Sequence, residues 1–195
     1  RPTSIEPGYV RQVFYVPRLQ AKTFSENILN DQNVDFEESS SALTDWTDSA
    51  NITAAVEADT TSPNNFMVYR DQRSAKLTCA ATSTGTFTIS ATSPTNYESE
   101  ELNFSIWVYS KTASVVSPII QIDSDTATSG TAHAGSGWER LTVSATAANI
   151  SSTIKAGLTF ASNSAIYTVY ADEAILTAGP SEALLGYEAI ILDWY

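Results

Sequence analysis

Few residues in this chain have the type and spacing for covalent or acid–base chemistry. His133 is the single histidine and lies in Gly130-Thr131-Ala132-His133-Ala134-Gly135. A lone imidazole in a loop of small residues, with no nucleophile or acid in a recognisable arrangement, reads as an exposed surface histidine. Glu98, Glu100 and Glu101 could supply a glycosidase carboxylate pair. They come from one loop and repel one another, so a solvated acidic run is the better reading. Asp123 and Asp125 suit a second cation or an Asx turn, and the turn is preferred. Cys79 is the sole cysteine, which excludes an internal disulfide and a cysteine-built metal site. It shares a face with Leu77 and reads as a small core residue. No nucleophile elbow, phosphate loop or metalloprotease helix motif occurs. The chain is therefore expected not to be an enzyme.

The elements around these residues are short strands. Leu102, Phe104, Ile106 and Val108 alternate with Asn103, Ser105, Trp107 and Tyr109. Phe87, Ile89 and Ala91 show the same period, as do Leu141, Val143 and Ala145, and Ile154, Ala156, Leu158 and Phe160. Further strands are predicted over 51–58, 65–70, 74–81, 115–123 and 166–177. Alternation with one apolar face means antiparallel strands over a shared core. Turn signals fall between them at Ser62-Pro63-Asn64-Asn65, Ser83-Thr84-Gly85, Ser93-Pro94-Thr95-Asn96 and Ser129-Gly130. No amphipathic helix is predicted before residue 181. The fold class is all-β, an antiparallel β-sandwich, with an extended N-terminal arm over 1–26, a domain over 27–179 and an apolar tail over 180–195.

Composition agrees. With 195 residues and 43% hydrophobic content the chain can bury a real core. The formal net charge of −12 argues against nucleic acid as a partner, because neutralising phosphate needs Lys and Arg. No apolar run is long enough to span a bilayer, and no secretory-leader pattern is present. The chain opens on Arg1 rather than Met, as a processed product or a piece of a longer protein would. Charge is uneven. Residues 1–22 carry Arg1, Arg11, Arg18 and Lys22 against Glu6 alone; the rest carries six basic residues against twenty-one acidic ones.

Several motifs recur in an ordered way. They are Asn33-Val34-Asp35-Phe36-Glu37, Trp46, Ser74-Ala75-Lys76-Leu77, Leu102 to Tyr109, Trp138-Glu139-Arg140-Leu141-Thr142 and Tyr170-Ala171-Asp172-Glu173-Ala174. Together, over roughly residues 27–178, they resemble the carbohydrate-binding-module-like jelly roll of the family 4/9/22 type, which is galactose-binding-like. Similar domains occur on polysaccharide-degrading enzymes and in phage virion structural proteins. The resemblance implies a structural calcium beside the first and last strands. It would be held by the carboxylates of Glu37 and Asp172 and the main-chain carbonyls of Asp35 and Lys76, oxygen donors that suit this hard cation. The alternative is that both carboxylates cap backbone amides without metal.

Glycan binding in such modules uses exposed aromatics that stack on sugar faces. Trp46, Trp107 and Trp138 fall where the family has structural aromatics, although Trp107 faces away from Phe104 and could line a cleft. Loop candidates are Phe66, Tyr69 and Tyr97, for which packing on the sandwich edge is the competing reading. A sugar platform is not evident from sequence.

The arm places Tyr9, Arg11, Val13, Phe14, Tyr15 and Arg18 between prolines, as one β-prone run without a nearby partner. The tail carries Ile191, Trp194 and Tyr195. Both segments are too apolar to hang in water and are expected to contact other subunits of an assembly. The leading expectation is thus a non-enzymatic structural or display protein of a phage-like virion, contacting surface glycans through its jelly roll. The alternative is a carbohydrate-binding module of a secreted polysaccharide-degrading enzyme.

Overall fold

The computed structural model describes residues 27–29, 33–37, 43–58, 67–91, 97, 99–146 and 153–179. The arm, the tail and Phe66 lie outside the described residues. The described residues form ten strands: β1 Trp46–Asp48, β2 Ile52–Ala58, β3 Arg73–Cys79, β4 Gly85–Ser90, β5 Glu101–Ser110, β6 Val116–Ile122, β7 Thr128–Ser129, β8 Gly137–Thr146, β9 Ile154–Phe160 and β10 Tyr167–Ala178. They form two five-stranded sheets in the orders β1-β4-β9-β6-β7 and β2-β3-β10-β5-β8. Every pairing is antiparallel. The all-β sandwich expected from alternation is what forms.

The inner positions interlock between the sheets. Phe87, Ile89, Leu158 and Phe160 from one sheet meet Leu77, Phe104, Ile106, Val169 and Leu176 from the other, all at most 1% exposed. Each aromatic of this set contributes on the order of 2–3 kcal/mol by leaving water. Tyr167, at the start of β10, joins the layers: its hydroxyl lies 3.0 Å from the Val115 carbonyl and 2.7 Å from that of Ala161. Burial, and then Cys79 beside it, raise its pKa, so it stays a neutral hydroxyl. Cys79 is fully buried, as expected.

The domain's start is tied to its end. The Ile28 amide donates to the Leu176 carbonyl at 2.7 Å, the Leu176 amide to Asn27 Oδ1 at 2.9 Å, and the Ala174 amide to the Val34 carbonyl at 2.9 Å. Phe36 and Trp46 then pack into the core beside Phe87, with Trp46 stacked on Phe87 at 4.6 Å.

Three sequence expectations change. Residues 67–70 form turns and bends rather than the end of a strand, because they fold over the outer face of a sheet, where Tyr69 stacks on Trp107 and the Arg70 amide donates to Asp172. Strands β1 and β7 were too short to show as a period. His133 is not at the surface but 0% exposed. Its Nε2 lies 2.9 Å from both the Val108 and Gly137 carbonyls, and its Nδ1 accepts the Gly135 amide at 2.8 Å. Those partners require the proton on Nε2, and the ring pins the turn between β7 and β8. Small residues surround it because the backbone must close around an imidazole, a need that composition alone had suggested was exposure. The Asp123 carboxylate accepts the Thr153 amide at 2.7 Å, while the Asp125 amide closes the turn onto Ile122 at 3.0 Å.

Candidate functional site

The outward positions of the β2-β3-β10-β5-β8 sheet carry an aromatic row. Strand register sets Lys76 opposite Tyr170, Tyr170 opposite Tyr109, and Tyr109 opposite Trp138, across four neighbouring strands. One pleat further along, Asp172 lies opposite Trp107, and Trp107 opposite Arg140. Period two places Trp107 and Tyr109 on the same face of β5, and Trp138 and Arg140 on the same face of β8. Adjacent strands run about 4.8 Å apart, so three side-by-side aromatics cover about 10 Å.

The rings touch. Tyr109 meets Trp138 at 5.8 Å and Tyr170 edge-on at 6.2 Å. Tyr69 reaches over from the turn before β3 and stacks on Trp107 at 4.1 Å, tilting against Trp138 at 5.3 Å. Trp107, Tyr109 and Trp138 are partly exposed, and Tyr69 is 36% exposed. Burial raises the Tyr170 pKa despite the counter-pull of the Lys76 ammonium, so this ring offers a neutral hydroxyl.

Polar groups frame the row. Lys76 Nζ donates to Glu57 Oε2 at 3.1 Å, and that carboxylate raises the Lys76 pKa. Arg140 is exposed and donates to Ser105 Oγ at 3.0 Å. Beneath them, Asn103, Ser105 and Asp172 are each 1% exposed.

The turn that carries Tyr69 is held by two carboxylates. Asp172 Oδ2 accepts the Arg70 amide at 3.0 Å and Oδ1 the Glu173 amide at 2.8 Å. Glu37 Oε1 accepts the amides of Gln72 at 2.9 Å and Arg73 at 2.7 Å. A β-bulge between Asp172 and Ile175, with Glu173 at φ 47°, aims Asp172 under this turn. Burial drives the Asp172 carboxyl up to about 7, against the pull of the backbone amides of Arg70, Glu173 and Tyr69.

Of the residues expected around calcium, Glu37 and Asp172 thus meet at one turn, while the Asp35 carboxylate accepts the Glu37 amide at 3.3 Å. Their carboxylate oxygens, however, point at N–H donors, and Arg73 Nη1 stands 3.9 Å from Glu37 Oε2. Lys76 is paired with β2 and β10 on both sides. A calcium ion needs six to eight oxygens converging on one point. This arrangement fits the amide-capping alternative rather than a cation cage.

Among the aromatic candidates, Trp107 and Tyr69 belong to the face. Tyr97 instead packs against the core. Trp138, read from sequence as structural, sits on the outer face with them. Tyr109, Tyr170 and Arg140 were missed. The available signal was phase: each occupies the parity opposite to a core residue of its own strand. What sequence lacked was the strand order that brings β3, β10, β5 and β8 side by side.

No family model and no curated protein matches the sequence. Solved structures do. The CBM22-1 xylan-binding domain of Paenibacillus barcinonensis Xyn10C superposes with a TM-score of 0.56 at 15% identity, covering 75% of this chain and 92% of that one. TmCBM61, solved with β-1,4-galactotriose, gives 0.55 at 12% identity over 79% of this chain and 99% of that one. The fold is a jelly-roll β-sandwich like that of these modules. The enzymatically active domain of tailspike protein 4 from bacteriophage CBA120 also matches, with a TM-score of 0.51 at 12% identity. There the match covers 76% of this chain and only 21% of the tailspike chain.

Proposed function

We propose that this chain is a non-enzymatic carbohydrate-binding module that takes a glycan across the outer face of the β2-β3-β10-β5-β8 sheet. The carrying observation is the aromatic group of Tyr69, Trp107, Tyr109 and Trp138, exposed or partly exposed on one face beside the buried Tyr170 and bordered by Arg140, Lys76 and Glu57. A pyranose presents C–H groups on its flat faces and hydroxyls at its rim. An aromatic floor with polar groups at its edge matches both, since burying the C–H face on a ring is favourable and the rim groups fix orientation. Affinity electrophoresis and calorimetry with full-length protein against plant, bacterial and animal glycans test the reading. It fails if no glycan binds, or if Trp107→Ala and Trp138→Ala leave binding unchanged.

A second role concerns where the module works. The likeness to a tailspike domain, the cationic arm and the apolar tail support a place as a display or structural subunit of a phage-like virion, with secretion as part of an enzyme the other setting. The two roles are compatible, because a particle can use such a face to hold surface glycans. Mass measurement of full-length protein tests subunit contacts: a strict monomer counts against assembly through residues 9–16 and 184–195.

A further inference from the structure

The cations of this chain are placed unevenly. Outside the first twenty-two residues there are six, against twenty-one acids. Four of the six, Arg70, Arg73, Lys76 and Arg140, lie on or at the rim of the aromatic face. Three of these are matched by a carboxylate: Arg70 with Glu173 at 2.6 Å, Arg73 with Glu37 at 3.9 Å and Lys76 with Glu57 at 3.1 Å. Arg140 differs. Its guanidinium is exposed, its hydrogen bond goes to the neutral hydroxyl of Ser105, and no carboxylate among the described residues pairs with it.

Its position is as informative as its charge. Arg140 lies directly across from Trp107 and two residues along the same face from Trp138. The buried Ser105 hydroxyl orients the planar fork. Its other N–H groups have no partner among the described residues. An oriented guanidinium binds a carboxylate through two parallel hydrogen bonds, with specificity that a neutral hydroxyl cannot match. The rest of the body is strongly acidic, so a dense polyanion would be repelled as it approaches within a Debye length, about 8–10 Å.

Resting on the glycan-binding reading above, we propose that the face selects a polysaccharide of mostly neutral sugars bearing spaced uronic acids. Its neutral units stack on the aromatic row, and one uronate carboxylate pairs with Arg140. Two requirements follow together: a carboxylate must be present, and it must be sparse.

Two polymer series graded in carboxylate density test this with full-length protein: pectin from fully methyl-esterified to fully de-esterified, and cellulose oligosaccharides from native to fully C6-oxidised. In at least one series, affinity should rise about tenfold from the uncharged member to the sparsely charged one, then fall towards the fully charged member at low salt. In Arg140→Gln the tenfold preference for the sparsely charged over the uncharged member should vanish, and Arg140→Lys should restore part of it. Melting curves of both variants verify folding. Affinity that is flat or monotonic with charge in both series overturns the proposal, as does a preference that survives Arg140→Gln. If neutral glycans bind without a carboxylate preference, the glycan-binding reading stands and this inference falls. If no glycan binds, both fall.

Discussion

On the β1-β4-β9-β6-β7 sheet, one outward row across the strands reads Thr47, Thr88, Gly157, Ile119 and Ser129. On the opposite sheet a row in the same sense reads Lys76, Tyr170, Tyr109 and Trp138. Both rows ride on the same pleat, and both sheets bury the same kind of aliphatic and aromatic inner face. The difference lies in what the solvent side must do. Small hydroxyl residues satisfy strand propensity and water together, without offering a surface to a partner. Large rings exposed side by side do the opposite: they leave apolar area in water, which a fold retains only where something covers it. Beneath the aromatic face, Ser74, Asn103, Ser105, Asp172 and Thr177 form a buried polar layer. No outward residue of the described hydroxyl face is buried and polar. One face finishes a sandwich, and the other is the face proposed to take a glycan.

The strongest way to break this contrast is to exchange the faces' roles by mutation. Trp107→Ala combined with Trp138→Ala should weaken glycan binding by about 100-fold, on the order of 2.7 kcal/mol. Thr88→Ala combined with Thr159→Ala should leave binding within about twofold. Calorimetry on wild type and the two double variants decides it, and equal losses from both pairs would erase the distinction.

The hydroxyl face should be sensitive in another way. A Cβ built on Gly157 would lie 2.1 Å from the Phe87 carbonyl oxygen of the neighbouring strand. Gly157→Ala must therefore push β9 from β4, at a cost of about 1–3 kcal/mol. Its Tm should fall by several degrees while the folded protein keeps its glycan affinity. A Tm drop accompanied by lost affinity would mean that the two faces are coupled through the core.

Asp172 sharpens the contrast by pH. Among the described residues it is the sole buried acid, and it lies under the aromatic face. Its folded pKa of about 7 stands above the ordinary 3.8. The folded state thus holds the proton more tightly than the unfolded chain between those values. The stability it contributes is fully present below the unfolded value and is lost as pH climbs towards and through about 7. Asp172→Asn cannot ionise, so its Tm relative to wild type should improve as pH rises from 5 to 8. A constant offset over that range would place the carboxyl outside it.

The fold was legible because inner-face alternation is local: Leu102 to Val108 and Ile154 to Phe160 announce strands whatever they pair with. The site was not, because it is defined across strands. Trp107 could be suspected from parity alone. Tyr109, Trp138, Tyr170 and Arg140 become one surface only when the order β3-β10-β5-β8 is known. His133 failed for a related reason. Its two carbonyl partners come from Val108 and Gly137, and only the first lies far away, on a strand that no loop composition could reveal. Trp46, by contrast, was read as a structural aromatic from the family resemblance, and it is buried in the core.

The smallest expected effect concerns calcium. Glu37, in the segment before β1, and Asp172, in the last strand, both reach the turn at 69–73, the place where a structural ion was expected from the family resemblance. The amides of Arg70, Gln72 and Arg73 donate to these carboxylates at 2.7–3.0 Å. A cation entering there would have to displace those donors and sit beside the Arg73 guanidinium, 3.9 Å from Glu37 Oε2. The tie between the strands is already made by hydrogen bonds, so removing calcium should cost nothing. Melting curves in millimolar calcium and in chelator should superimpose, and Glu37→Gln should lower both equally, because a neutral amide oxygen accepts the Gln72 and Arg73 amides more weakly than a carboxylate does. An ion bound only by the folded state would instead raise stability by about 2.7 kcal/mol at a hundredfold excess over Kd. A calcium-dependent Tm that Glu37→Gln abolishes would mean that the turn at 69–73 rearranges to turn its carboxylates inward. The Tyr69 ring that this turn lays over Trp107 would then be positioned by the ion, and glycan affinity should fall in chelator as well.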